Sequence, residues 1–512
     1  MIQPGLERIG LLLKNVKFPW KSIHVAGTNG KGSICAYASA LLTRQSIKNG
    51  RFTSPHMVDS RWDCIQINDQ PVQYDEFRDV EKRFLALNER EKIGASEFEV
   101  LTATAFQLFN DQKVQVGVVE VGMGGRLDAT NILNNQAVSV ISKIAHDHQS
   151  FLGNTLEEIA DHKAGILRPN VPYIVNPVNE WVVHEVIEGV ARTVNAGPRL
   201  RGDTPELEEE VYGTEEWSKF SRTLAPFQRD NAVSAYLAFR EACEAIGKTV
   251  DSSSAINGLE HKTLGGRQQT KKVKAVFGKY AKALIVDGAH NEDAASALAD
   301  FLSCQPLSTK FDQQEHKRVR AKATWVLAMT QGKDPRKFLS KLLQPGDTVV
   351  TTIFNPVQGM PWVKPMDPFE LLRVAKEVQT NIRGMANRAP FVHRALTTAK
   401  HLMNKDDIII VTGSLYLVGD FLREERDYKK NNRIFDMASI DKVERRRVNG
   451  FLSDQKHELK QAERASRELK PLTNETHVKR TEKEEEENAR IKLEEEIAQL
   501  DEELKQLTKR EK

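Results

Sequence analysis

Short apolar runs recur along the first 425 residues, at 23–26, 116–121, 138–144, 173–175, 283–286, 324–329, 348–353 and 408–412. They are continuous and rich in β-branched residues rather than alternating. That is the pattern of strands covered on both faces. Amphipathic stretches of helical period follow several of them, at 34–44, 97–110, 156–166 and 291–302. Strand–helix alternation predicts an α/β fold with doubly wound, mostly parallel sheets. The sequence Leu-Gly-Gly-Arg at 264–267 interrupts the pattern and marks a boundary. The expected units are 1–265, a nucleotide-binding α/β domain, and 266–425, a smaller Rossmann-like α/β domain. Two polar stretches read as excursions: 195–223 as a loop-rich segment and 308–320 as a surface insertion.

After about residue 425 the apolar pattern stops, and Lys, Arg and Glu dominate through 426–512. Leu493, Ile497, Leu500, Leu504 and Leu507 keep a/d spacing for about two heptads. The tail therefore reads as a solvated, partly helical segment, with a helix for a partner or for weak self-association as the other reading.

Composition narrows the function. Of 512 residues, 74 are Lys or Arg and 71 are Asp or Glu, a formal net charge of +3. A chain so balanced is not built mainly to neutralise nucleic-acid phosphate. No apolar run approaches the roughly 20 residues of a membrane helix, and the start, MIQPGLERIG, has no signal-peptide core. The expectation is no nucleic acid and no membrane. Cys35, Cys64, Cys243 and Cys304 are far apart, without a CxxC pair. Neither a disulfide framework nor a zinc knot is expected, and the compartment read from this is the cytosol, with a mitochondrial pool left open. A monomer acting on small molecules is the expected form.

The strongest local chemistry is His24-Val-Ala-Gly27-Thr28-Asn29-Gly30-Lys31-Gly32-Ser33, between a strand and a helix. Successive glycines let backbone N–H groups curl around a phosphate, and the helix N-terminus adds partial positive charge. Lys31 can reach terminal phosphates and Ser33 offers a hydroxyl. The common loop is GxxxxGK[ST]; here Val25 replaces the first glycine and Gly32 separates Lys31 from Ser33. A ligand-free tight turn is the bland alternative. Glu120 ends a strand beside the glycine turn 122–125, where a carboxylate faces the ligand crevice of an α/β sheet or simply caps the turn. His148, just past another strand, reads by itself as structural, and Lys163 on its helix as a surface lysine.

The loop GTNGKGS resembles the nucleotide loop of the Mur-ligase superfamily, in particular its folate branch of folylpolyglutamate and dihydrofolate synthases. Further stretches resemble that branch in order: Phe52-Thr-Ser-Pro-His56, Glu120-Val-Gly-Met-Gly-Gly-Arg-Leu-Asp-Ala-Thr-Asn131, Asp147-His148 with Phe151-Leu-Gly-Asn-Thr155, Lys163-Ala-Gly-Ile166, Asp287-Gly-Ala-His-Asn291 and Gly413-Ser-Leu-Tyr416. The opening Gly5-Leu-Glu-Arg-Ile9 is also similar. The likeness spans about residues 5–423 and leaves the tail out.

The resemblance implies an ATP-dependent ligase that joins a pteroate or folate carboxylate to L-glutamate through an acyl phosphate. It implies ATP on Thr28, Asn29, Gly30, Lys31, Gly32, Ser33, Arg267 and Asp287. It implies Mg²⁺ on Ser54, Glu120 and His148, with Lys163 joining if carbamylated, and leaves room for a monovalent cation such as K⁺. Lys31, Lys163, Asp287 and His290 are the implied catalytic set. Substrate contacts fall on His56, Arg126, Asp128, His290 and Ser414, the last two on the glutamate side; for His290 a helix-cap role is the alternative. The family's usual Trp-Pro-Gly-Arg is here Leu264-Gly265-Gly266-Arg267, so the hinge is expected to be looser. His146-Asp-His148, Ser150-Phe151-Leu-Gly-Asn154 and Gln358-Gly-Met-Pro-Trp362 look most like fungal dihydrofolate synthases, which favours dihydropteroate as acceptor. Folylpolyglutamate synthesis, a bifunctional enzyme, or an inactive relative acting through its tail are the alternatives.

Overall fold

The computed structural model describes residues 5–55, 61–222, 224–257, 259, 265–278, 283–304, 309–312, 317–404 and 406–431, and the isolated positions 440, 442, 448 and 449. His56, Leu264 and the heptad positions Leu493 to Leu507 lie outside the described residues.

The apolar runs form two sheets. The first contains β1 (Lys21–Ala26), β2 (Asn49–Phe52), β3 (Ile65–Ile67), β4 (Gln70–Pro71), β5 (Val116–Glu120), β6 (Gln136–Ile141), β7 (Tyr173–Val175) and β8 (Arg199–Leu200), in the order β4-β3-β2-β5-β1-β6-β7-β8. From β2 to β8 every pairing is parallel, and β3 and β4 are added antiparallel. Strands β1, β5 and β6 are wholly or almost wholly buried. That explains their unbroken apolar sequence: helices cover both faces. On one face the helices Lys31–Arg44 and Pro226–Ala245 pack with Ile23, Val25 and Val118. On the other, Phe106 and Phe109 of the helix Glu97–Asp111 pack with Phe52 and Val119. That helix starts at a capping box of Ser96 and Glu99.

The second sheet contains β9 (Gln269–Lys272), β10 (Ala283–Val286), β13 (Ala323–Leu327), β14 (Thr348–Thr351), β15 (Arg383–Ala386) and β16 (Ile408–Thr412), in the order β15-β14-β13-β16-β10-β9. It is parallel except for the edge strand β9. Its closing helix, Leu415–Asn431, runs past residue 425, and Val448 is buried against the same core.

One expectation changes and another gains detail. The polar insertion at 308–320 contains a two-stranded hairpin, β11 (Thr309–Asp312) with β12 (Lys317–Arg320). The stretch 195–223 is largely helical rather than loop. Thr204 and Thr214 hydroxyls cap short helices at Pro205–Leu207 and Glu215–Ser221, and Leu207, Val211, Trp217 and Phe220 sink into the first core. Its high acidic content hid a sparse apolar face behind good helix starts. All four cysteines are free thiols. Among the described residues no helix is long and apolar enough to cross a membrane.

Candidate active site

The site residues lie where parallel strands end. In the first sheet β2, β5, β1 and β6 are neighbours, and their carboxyl ends carry Ser54, Glu120, the loop 27–32, and Asp147 with His148. In the second, β13, β16 and β10 are neighbours, and their carboxyl ends lead to Lys333, Ser414, and Asp287 with His290. Crevices outside strand carboxyl ends are the ligand sites of such sheets, and here two of them meet.

The glycine loop is shaped by its backbone. Gly30 has φ +92° and precedes the helix Lys31–Arg44. A Cβ there would stand 2.6 Å from Asn231 Oδ1, so glycine is required both for the conformation and for the approach of Asn231. Buried Asn231, on the helix Pro226–Ala245, accepts a hydrogen bond from Asn176 Nδ2 at 3.3 Å. Thr28 ties the loop down: its hydroxyl donates to Ala145 O, and Ala145 N–H donates to it, both at 3.1 Å.

Glu120 is buried beneath this loop. Burial raises its carboxyl, while Lys31, Arg267, the Ser54 N–H and Arg51 pull the other way. Ser54 N–H reaches Glu120 Oε2 at 3.3 Å, and Lys31 Nζ lies 3.9 Å from Oε1. Lys31 Nζ also donates to Thr28 O at 3.1 Å. A buried carboxylate so thinly partnered is the chemistry a hard cation satisfies. Lys163 is not a surface lysine: it is 4% exposed and Nζ donates to Gly27 O at 2.7 Å. Burial, helped by Lys31, lowers it to about 7. Its helix, Leu156–Ala164, starts at a Thr155–Glu158 capping box. His148 adopts φ +52° ahead of a short helix with its side chain about half exposed, and partial desolvation, with Lys333, Lys163 and Lys31, lowers its imidazole against the pull of Asp147. The buried Glu120 carboxylate, with Ser54 at the neighbouring strand end, offers the hard oxygen donors a divalent ion takes, and His148 lies beyond the carboxyl end of β6; no cluster of three or more His, Cys, Asp or Glu forms among the described residues.

Other expected residues are committed to shaping the site. Asp128 accepts Met123 N–H at 2.9 Å through Oδ2, and Thr130 N–H at 3.0 Å and the Thr130 hydroxyl at 2.6 Å through Oδ1. It thereby closes the turn after Glu120. Arg126 is half-exposed and pairs with Asp161, both contacts at 2.9 Å. On the second sheet, Asp287 is buried; its oxygens accept Gln268 N–H and Ala289 N–H at 2.8 Å each. Burial raises its carboxyl, against Arg267 and those two N–H groups. The Arg267 guanidinium lies over Gly288, where a Cβ would be 2.5 Å from Nη1. His290 is not the helix cap. Asn291 Oδ1 accepts Ala294 N–H at 2.9 Å and does that work. Ser414 is buried, and its hydroxyl accepts Tyr416 N–H at 3.1 Å.

Residues far apart in sequence join the two units. Asn29 Nδ2 donates to Asn291 Oδ1 at 3.2 Å and to Asp293 Oδ2 at 2.8 Å. Asp147 meets His290 Nε2 at 3.5 Å and is ion-paired with Lys333. Gly359 packs on the Arg61–Glu97 pair. The sequence reading missed Asn231, Asp293 and Lys333. None lies in a glycine or acid motif, and only the tertiary arrangement brings them in.

Residues 269–424 match the family model described as Dihydrofolate synthetase, C-terminal domain. The probable dihydrofolate synthetase of Schizosaccharomyces pombe is 38% identical over 438 residues, 82% of this chain and 98% of that one. The dihydrofolate synthetase of Saccharomyces cerevisiae is 34% identical over 84% of this chain and 100% of that one. The probable folylpolyglutamate synthase of S. cerevisiae is 26% identical over 82% and 96%. Among solved structures, E. coli FolC in complex with DHPP and ADP superposes with TM-score 0.67 at 26% identity, covering 84% of this chain and 95% of that one. A bifunctional folylpolyglutamate synthase/dihydrofolate synthase with Mn, AMPPNP and L-glutamate bound gives TM-score 0.64 at 25% identity, over 83% and 95%.

Proposed function

The chain belongs to the dihydrofolate synthase/folylpolyglutamate synthase family, and from that premise we propose that it joins dihydropteroate to L-glutamate at the expense of ATP. The observation that carries the reading is the meeting of two strand-end crevices. One holds a phosphate loop over the buried Glu120, and the other presents Asp287, His290 and Ser414. Support for dihydropteroate over a folate comes from the S. cerevisiae pair: the dihydrofolate synthetase is 34% identical and the folylpolyglutamate synthase 26%.

A carboxylate resists attack because resonance stabilises it and oxide is a poor leaving group. Transfer of the γ-phosphoryl group to the pteroate carboxylate gives an acyl phosphate and ADP. The glutamate amine then attacks the carbonyl carbon, and inorganic phosphate leaves with the C–O bond electrons. A proton is lost from nitrogen. The protein's work is positioning and neutralising charge.

The loop amides of 28–33 and Lys31 hold the terminal phosphates. Ser54, Glu120 and His148 hold Mg²⁺, which when bound neutralises phosphate charge; a monovalent cation such as K⁺ is an added proposal. Lys163, lowered to about 7, is neutral often enough to take up CO₂ as a carbamate and add an oxygen ligand. Arg267 and Asp287 face the nucleotide from the second unit. His290 and Ser414 orient glutamate. Arg126 and Asp128 act on the acceptor through the turn they hold.

The test supplies ATP, Mg²⁺ and L-glutamate with either dihydropteroate or tetrahydrofolate, and follows product by mass spectrometry and phosphate release. Dihydrofolate from the first acceptor is expected. Product from tetrahydrofolate alone would overturn the assignment, and product from both would make the enzyme bifunctional.

A further inference from the structure

The segment 352–367 connects β14 to the helix Pro368–Val378. A connection of more than about 12–15 residues without a helix or strand is uncommon in a compact domain unless it has a task. This one is not slack. Phe354 and Val357 are buried in the second core. Asn355 N–H donates to Asp420 Oδ2 at 2.7 Å, and Asn355 Nδ2 to Pro390 O at 3.1 Å. Tyr416 packs its ring on Phe354, centroids 5.3 Å apart, and its hydroxyl donates to Met360 Sδ at 3.5 Å. Met360 N–H donates to Val357 O at 3.1 Å and Val363 N–H to Met360 O at 2.9 Å. The helix Leu415–Asn431 and the loop's own turns therefore hold its tip in one shape.

That tip rests on the first unit. Gly359 has φ +78°, and a Cβ there would stand 2.4 Å from Glu97 Oε2 and 3.3 Å from Arg61 Cδ. Glycine serves both the turn and the close approach. The seat is braced: Arg61 Nη1 lies 3.2 Å from Glu97 Oε2 and Nη2 2.9 Å from Glu81 Oε1. The guanidinium thus ties the helix Tyr74–Arg90 to the start of the helix Glu97–Asp111. The next residue, Phe98, stacks on Phe52 with centroids 6.1 Å apart. A Cβ at Gly122 would be 2.5 Å from Phe98 Cζ and 3.1 Å from Asp128 Oδ2. Phe52 ends β2 and Gly122 follows β5. Phe98 and Asp128 therefore flank the first crevice, and the loop tip is seated one residue from that aromatic wall.

We infer that the loop 352–367 is a wall of the acceptor crevice supplied by the second unit, and that Gly359 is the positioning residue that seats it on the Arg61–Glu97 pair. Dihydropteroate is a flat, largely apolar molecule with a single carboxylate. A crevice walled by the first unit alone leaves one side of its rings in water, and a wall from the second unit removes that surface from water. The phosphate loop is held separately, by Thr28 with Ala145 and by the approach of Asn231 to Gly30. The seat should therefore govern the acceptor and not the nucleotide. The inference deepens the ligase reading and rests on it for placing Asp128 on the acceptor side.

The test compares wild type, Gly359→Val, and Gly359→Val combined with Glu97→Ala, all in the full chain. Valine drives bulk into Glu97; the second substitution removes the atoms it meets. Calorimetry with a non-hydrolysable ATP analogue and Mg²⁺ present gives the Kd for dihydropteroate, and steady-state kinetics give KM and kcat. Gly359→Val is expected to weaken the dihydropteroate Kd and raise its KM by at least about tenfold, with kcat at saturating acceptor within about threefold of wild type. In the same variant the Kd of the ATP analogue and the KM for L-glutamate should change less than about twofold. The double variant should return the dihydropteroate Kd to within about threefold of wild type. An unchanged dihydropteroate Kd and KM in Gly359→Val would overturn the inference. So would a nucleotide Kd that weakens by the same factor, because the units as a whole would then be displaced. A loss that the second substitution leaves in full would assign the effect to backbone strain at residue 359 and also overturn it. The Kd series is repeated with tetrahydrofolate. If the wild type bound either acceptor but made no amide, the ligase reading would fall, while the Kd series would still decide the wall.

Discussion

Burying an imidazole between two carboxylates should leave a pH signature in stability. His393 lies in the first turn of the helix Val392–Leu402 and is fully buried. Nδ1 is 2.5 Å from Glu424 Oε2 and Nε2 is 3.0 Å from Glu425 Oε1. Both ring nitrogens face acceptors, so both must carry hydrogen and the ring is an imidazolium. Glu424 also accepts Val392 N–H at 3.0 Å and His393 N–H at 2.9 Å, and so caps that helix. Both acids belong to the helix Leu415–Asn431, which begins immediately after Ser414. The clamp therefore secures the helix that follows the proposed glutamate side. Burial would lower the imidazole, but the carboxylates raise it from 6.5 to about 9. At about 1.4 kcal/mol per tenfold, that shift amounts to roughly 3 kcal/mol. Because the folded-state value is the higher one, this stabilisation is complete below pH 6.5. It is lost as pH rises from 6.5 through about 9. The measurement is urea unfolding of wild type and His393→Gln at pH 6, 7.5 and 9. Gln keeps a donor but carries no charge. The stability gap should be widest at pH 6 and shrink by roughly 2–3 kcal/mol at pH 9. A gap that stayed constant, or widened with pH, would refute the charged-clamp account.

Other outcomes follow from the site. Gly30→Val forces a Cβ toward Asn231 Oδ1, 2.6 Å away, at a φ of +92°; nucleotide affinity measured by calorimetry should fall at least about tenfold, with a stability loss of about 1–3 kcal/mol. Lys163, lowered to about 7, gains its neutral form as pH rises. Activity in CO₂-depleted buffer should therefore recover on adding bicarbonate, and more fully at pH 8 than at pH 6, whereas Lys163→Met should show no such recovery.

Legibility in the sequence followed locality. Central strands such as β5 and β16 were readable because burial on both faces leaves an unbroken apolar run. Strand β2, Asn-Gly-Arg-Phe, was not, because its register is set by neighbours: Gly50 faces the Phe109 ring, where a Cβ would be 2.4 Å from the ring. The glycine loop was readable because backbone curvature demands glycine in a short span. Lys163 could be singled out only by resemblance, since burial against Gly27 is a contact across 136 residues.

A motif encodes what lies within a few residues of a strand end, whereas the contacts that join the two units are encoded only by the tertiary arrangement. Glu120, the glycine loop and Asp287 are each fixed within a few residues of a strand end, so each leaves a local signature. Asp147–Lys333 and Asn29–Asp293 join residues 186 and 264 positions apart. Neither member of either pair needs its partner to complete its own turn. Asp147 holds His148 N–H and Lys333 rides a turn braced by Lys364 and Met366 whether or not they meet. Only the meeting of the two crevices requires the pair. Such residues should tolerate substitution in stability and fail in turnover, the reverse of what truncating Phe109 or Trp325 in the cores would produce.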